Sequence, residues 1–247
     1  MLREWARIVE GLGFDLLMVS DHVAVTADVA QRYPEPFYEP FTTLSWLAGV
    51  TTGLRLGTTV LVLPYRHPRL VARMATNLDQ LSGGRFVLGV GIGWARQEFE
   101  ALGVPYAERA RVTDDHLAVL RQAVSTPIWV GGNSAAAIRR AVRFGDAWHP
   151  LRVDLPELRS AVAEHSLPGL APRIALRLTA TPVDDHERPT GVGTLEQILG
   201  DLDRLDRLGA EAVVLDPYHG DPEQTRRPEV AWRALTALAT HRGKATS

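Results

Sequence analysis

The chain contains no cysteine. Disulfides, thiolate catalysis and cysteine–zinc sites are therefore excluded, and the composition fits a reducing cytoplasm. There is almost no net charge: 27 Lys and Arg against 29 Asp and Glu leave −2 over 247 residues. That balance provides no attractive field for nucleic acid or an anionic membrane. No apolar run approaches the ~18 residues that span a bilayer. The first residues do not read as a signal peptide, because Arg3, Glu4, Arg7 and Glu10 interrupt Leu2, Trp5, Ile8, Val9 and Leu12. Their spacing describes an amphipathic helix instead. Metal-ligand spacing is missing too: the histidines are scattered, and His116 beside Asp114 and Asp115 reads as an exposed helix face. No fixed-period repeat or low-complexity tract interrupts the chain. Residues 1–247 are therefore expected to form a single domain of ordinary globular composition.

Strand-like and helix-like segments alternate. Strands are predicted over 14–20, 54–63, 85–93, 127–131, 147–150, 174–181 and 212–216. Helices are predicted at the N-terminus and near 41–50, 68–81, 135–144, 155–164, 194–208 and 229–239, with a long polar and helical section over 97–123. A Pro- and Tyr-rich loop covers 33–40. The alternation implies a parallel sheet. Seven βα units approach a (β/α)₈ barrel without completing it, and a doubly wound open sheet is the other architecture to consider.

The segment Arg85-Phe86-Val87-Leu88-Gly89-Val90-Gly91-Ile92-Gly93-Trp94 is the most informative. Alternation along a strand puts Gly89, Gly91 and Gly93 on one face and Val90 and Ile92 on the other. Glycine weakens a strand, so such a row implies that something flat, or another backbone, lies against it; tight strand–helix packing would also account for it. A dinucleotide fingerprint does not fit, since the third glycine is one position early for G-x-G-x-x-G.

In a parallel barrel, function gathers at the C-terminal strand ends. The first end offers Asp21 and His22, able to bond a polar ring edge or move a proton; a turn-capping Asp beside a solvated His reads equally from the pattern. The second offers Thr58-Thr59-Val60, which alone describes a β-branched buried strand. The fourth, Gly131-Gly132-Asn133-Ser134, runs directly into a helix, suiting either an anion on backbone amides or a plain N-cap. Arg139, Arg140 and Arg143 add charge there. The fifth ends at His149, where packing and ligand contact are both open.

Taken in order, these segments resemble the luciferase-like flavin and deazaflavin oxidoreductases. The resemblance rests on Gly13-Phe14-Asp15, Val19-Ser20-Asp21-His22, Leu56-Gly57-Thr58-Thr59-Val60, Arg66-His67-Pro68 and Leu81-Ser82-Gly83-Gly84-Arg85. It continues through Leu88–Trp94, Glu98-Phe99-Glu100-Ala101-Leu102-Gly103, Ile128-Trp129-Val130-Gly131-Gly132-Asn133-Ser134 and Gly145-Asp146-Ala147-Trp148. It is strong over residues 2–150 and weak beyond. The wording looks most like the branch that uses coenzyme F-420, an 8-hydroxy-5-deazaflavin.

The resemblance implies a (β/α)₈ TIM barrel of the bacterial luciferase-like type with a flavin-type ring in its mouth. Asp21 and His22 would lie at the polar ring edge, with His22 as proton partner. Thr59–Val60 would be a non-prolyl cis peptide backing the ring, Gly91, Ile92 and Gly93 would lie beside the ring or ribityl chain, and Gly131, Gly132, Asn133 and Ser134 would hold the phosphate. Two departures stand out: no strand precedes the first helix, and Arg121–Pro127 passes straight to the next strand where relatives carry an insertion. The chain thus reads as an N-terminally truncated member, with a gap beside strand 14–20. Trp94 stands where the sugar-phosphate dehydrogenase branch has an acid, so that substrate is not implied. The implied activity is hydride transfer between coenzyme F-420 and a small organic substrate in a cytoplasmic homodimer. An FMN-dependent monooxygenase and a degenerate flavin-binding protein without turnover are the alternatives.

Overall fold

The computed structural model describes residues 2–33, 37–184, 186, 188–218 and 227–245. Among the described residues ten strands are interspersed with helices, and every paired ladder is parallel. Helix α1 (Leu2–Gly11) leads into β1 (Leu16–Val19), then the single turn α2 (Ala27–Ala30) and α3 (Pro40–Ala48). Next come β2 (Arg55–Thr58), β3 (Leu61–Val62), α4 (Pro68–Ser82) and β4 (Phe86–Gly91). Then follow α5 (Arg96–Ala101), α6 (Arg109–Ala123), β5 (Ile128–Gly131), α7 (Ala135–Phe144), β6 (Ala147–His149) and α8 (Leu155–Glu164). The last third contains β7 (Arg173–Ala175), β8 (Arg177–Leu178), β9 (Val192–Gly193), α9 (Leu195–Arg207), β10 (Val214–Asp216) and α10 (Pro228–Ala245). Of the loop expected over 33–40, residues 34–36 lie outside the described residues.

Local chemistry sets these boundaries. Pro68 occupies the first turn of α4, where its missing N–H costs no bond, and Gly83 closes that helix at φ 70°. The Arg85 guanidinium then donates to the carbonyls of Ser82, Leu54 and Ala48, tying the ends of α3 and α4 to the start of β4. Thr194 and Gln197 close a capping box on α9.

The main sheet runs β1-β2-β4-β5-β6, with β3 also on β4; β10 pairs with β7. Strand β4 is buried along its length and divides its side chains between two cores. Phe86, Leu88 and Val90 face the helices, in the layer with Leu44, Leu56, Leu78, Leu120 and Ile128. Val87 faces inward, packing with Trp129, Ala147 and Ala171 and with half-buried Leu16, Met18, Ala212 and Val214. Residues from β1, β4, β5, β6 and β10 thus share one interior, as in a barrel. Among the described residues, β1 pairs only with β2 and β10 only with β7, so no ladder joins β1 to β10.

Three sequence expectations need correction. The strand predicted over 54–63 is two strands: Gly57 pairs with Val87 and Leu61 with Val90, which leaves an extra residue, a β-bulge, at 59–60. The strand predicted over 174–181 splits likewise, because β8 leaves β7 to pair with β9. The helical section over 97–123 is two helices, separated by a turn at Leu102-Gly103 where Gly103 takes φ 67°.

Candidate functional site

The ladder registers bring the strand C-termini to one level. Val62 pairs with Gly91 and Gly131 with His149, so the ends of β3 to β6 open on the same side as Asp21 and His22 beyond β1. The Thr59–Val60 peptide bond is cis. The bulge fills the inward face of the glycine row. A Cβ on Gly89 would lie 1.9 Å from the Thr58 carbonyl oxygen, and one on Gly91 or Gly131 would lie 2.6 or 2.7 Å from the Val60 methyls. What lies against Gly89 is another backbone, and against Gly91 the Val60 side chain; no external ring is needed to explain either.

The bulge is fixed by polar partners. The Thr59 carbonyl accepts from Arg173 at 3.0 Å and from the Ser20 hydroxyl at 3.3 Å. The Thr59 hydroxyl bonds His149 Nε2 at 2.9 Å, while His149 Nδ1 donates to the Ala171 carbonyl at 2.5 Å. That carbonyl can only accept, so Nδ1 carries the proton and Nε2 accepts from Thr59. His149 is 3 % exposed, and burial, with Arg173 nearby, pushes its pKa down to about 4. It is a neutral structural histidine rather than a ligand contact. Arg173 and Arg152 both pair with Asp216, whose carboxyl is opposed by burial but held below its ordinary range by the two arginines. Sequence reasoning missed this Arg173–Asp216 brace.

A pH effect follows. In the unfolded chain His149 titrates near 6.5; folded, it titrates near 4. Between those values the unfolded state binds more protons, so stability falls as pH falls through the window, and levels off below about 4. From pH 7 to pH 5 the loss is expected to be about 2 kcal/mol. Urea unfolding at both pH values checks it, and His149→Gln is expected to remove that part of the slope.

Asp21 is 2 % exposed and already committed. Its two oxygens accept from both terminal nitrogens of Arg66, at 2.7 and 2.9 Å, and from the Val62 amide at 2.9 Å. Asp21 ties the end of β1 to β3 and the start of α4. His22 differs. Its Nδ1 lies 2.8 Å from Glu98 Oε2, and its ring is walled by Phe37, Trp94 and Tyr33, with centroids 4.9, 5.9 and 6.0 Å away. Among the described residues no partner bonds Nε2, and the His22 side chain is 8% exposed.

Glu98 on α5 is fully buried and accepts four hydrogen bonds: from His22, Tyr65 and the amides of Val23 and Ala24. Burial alone would raise its pKa, but these bonds outweigh it and hold the carboxyl below its ordinary value. Tyr65 is raised well above its ordinary range, chiefly by burial and then by Glu98, so it stays protonated and donates.

At the fourth strand end the side chains are spoken for. The Asn133 amide bonds the Leu151 backbone in both directions, at 2.8 and 2.9 Å, and Ser134 caps α7 by accepting from Ala137. Gly132 sits at φ 118°, and its carbonyl accepts from the Trp148 indole. What remains for an anion is the exposed backbone of 132–135 and the first amides of α7, which a helix start leaves unpaired. Arg140 is drawn away to Asp114 on α6, and Arg143 stacks on Phe144.

A parallel α/β scaffold with polar groups gathered beyond its strand ends defines an enzyme architecture of the TIM-barrel type. A model of the luciferase-like monooxygenases matches residues 1–188, and the chain belongs to that family. An uncharacterized protein of Mycobacterium tuberculosis is 31% identical over 195 residues, covering 64% of this chain and 67% of its own. The coenzyme F420-dependent tetrahydromethanopterin reductase of Methanopyrus kandleri superposes with TM-score 0.70 at 14% identity, over 96% of this chain and 93% of its own. The oxygenating constituent of 3,6-diketocamphane monooxygenase from Pseudomonas putida, solved with FMN, gives 0.70 at 14% identity, over 96% and 91%. No described helix is long and apolar enough to cross a membrane.

Proposed function

We propose that the protein is an oxidoreductase that passes hydride between coenzyme F-420 and a small organic substrate. The observation that carries this is the His22 imidazole, held through Nδ1 by a buried carboxylate among aromatic rings, with Nε2 free of any partner among the described residues. Hydride transfer to or from a carbon bearing oxygen must be matched by a proton, and a fixed imidazole supplies or takes one. The residues fit a deazaflavin. The bulge at Thr59–Val60 provides a rigid wall, Gly91 packs against Val60 while Ile92 and Gly93 are half-buried at the adjoining strand end, and the backbone amides at Gly131, Gly132, Asn133 and Ser134 suit a phosphate. The bound deazaflavin supplies the hydride chemistry. His22 moves the proton at Nε2, while Phe37, Trp94 and Tyr33 wall its ring.

An FMN-dependent monooxygenase is the second reading, supported by the family the chain belongs to. Titration decides between them. Quenching of protein fluorescence by coenzyme F-420 at micromolar concentration, without an equal response to FMN, is expected; the reverse order would replace the deazaflavin by FMN. Tight binding of either cofactor without reductase or oxygenase turnover would leave a binding protein.

A further inference from the structure

We infer that Glu98 is the positioning residue of this site: by accepting from Nδ1 it commits His22 to the tautomer that leaves Nε2 with a bare lone pair. The argument starts from donors and acceptors. An ionised carboxylate can only accept, so the 2.8 Å contact requires a proton on Nδ1. A neutral imidazole carries one proton, which leaves Nε2 bare. Glu98 has little freedom to do otherwise. Oε1 accepts from the amides of Val23 and Ala24 at 2.6 and 3.0 Å, and Oε2 accepts from the Tyr65 hydroxyl at 3.1 Å and from His22. The same carboxylate thus fixes the loop that carries the histidine and the proton on its ring. His22 is thereby set as a proton acceptor at Nε2, and once protonated its charge faces Glu98. Glu98 lies 76 residues from His22 and touches only that histidine and its supports, so it acts through His22.

The role that Nε2 would play in turnover rests on the oxidoreductase reading; the tautomer does not. The test uses the unliganded protein. Long-range ¹H–¹⁵N spectra of histidine-labelled protein, with His22→Gln to assign the signal, are expected to show Nδ1–H for His22. In Glu98→Gln the side-chain amide can donate where the carboxylate accepted, and the signal is expected to switch to Nε2–H. Carbethoxylation of His22 by diethyl pyrocarbonate is expected to slow by about tenfold in that variant, because Nε2 is no longer bare. An Nε2–H signal in the wild type would overturn the inference even if the variant fails to fold. So would one tautomer shared by both folded proteins. Failure to bind either cofactor would sink the oxidoreductase reading and leave this result standing.

Discussion

Asp21→Ala is expected to lower the unfolding free energy by about 3–5 kcal/mol, the usual cost of removing one partner from a buried ion pair. The carboxylate is fully buried and the Arg66 side chain is 11% exposed. Its loss strands a guanidinium among the ends of β1, β3 and α4, with Glu39, at 3.3 Å, the one acid left paired to it among the described residues. The Val62 amide loses its acceptor as well. Asp21→Asn keeps the shape and one acceptor oxygen, so it is expected to fall between the wild type and Ala. Urea denaturation at pH 7 measures all three. A loss below about 1 kcal/mol for Ala would mean that Arg66 finds solvent, and the pair would then be a surface pair in its energetics.

The largest effect on activity is expected from His22→Gln. Removing a positioned proton partner costs about 10²–10⁴ in turnover. Cofactor affinity is expected to change little, because the proposed phosphate cradle lies beyond β5 and the bulge is held by Arg173 and His149. Turnover followed by cofactor absorbance, beside the fluorescence titration, separates the two effects. Undiminished turnover at saturating substrate would transfer the proton step to another group. Loss of cofactor binding alone would make His22 a wall of the site.

The sequence carried the strand order well, because buried parallel strands are short apolar runs bounded by turn residues. Segments 85–93 and 127–131 read directly. The break in 54–63 was hidden, since Thr58, Thr59 and Val60 are all strand formers and nothing local marks an extra residue. Only the resemblance pointed to the cis bond. The glycine row implied something flat or another backbone, and it is a backbone, the Thr58 carbonyl, joined by the Val60 side chain, that fills the face. Glu98 was legible as part of a family segment, but its buried role was not. An acid in Arg96-Gln97-Glu98 looks like a solvated helix face, and only the chain leaving β1, with three donors, and Tyr65 beyond β3 give it four partners. Arg173 was missed for the same reason, as its partners Thr59 and Asp216 lie 114 and 43 residues away. At Asn133 and Ser134 the pattern left an anion on backbone amides and a plain N-cap both open; the Ser134 side chain does cap α7, and the Asn133 side chain holds its own loop.

Strand β1 has a consequence for the order in which the molecule lets go. The carbonyls of Asp15 and Val19 accept from β2, so the intervening amides of Leu16 and Met18 point away from it. Those amides should exchange with deuterium far sooner than Leu88 or Val90 in β4, which has partners on both sides. Yet the loop carrying His22 follows this strand, which is paired on one side alone among the described residues. It is moored by two buried carboxylates, Asp21 to Arg66 and Glu98 to the loop itself, more than by the sheet behind it. Acid strong enough to discharge those carboxylates should therefore loosen the mouth of the barrel before its floor, and activity should vanish while most slow-exchanging amides remain protected.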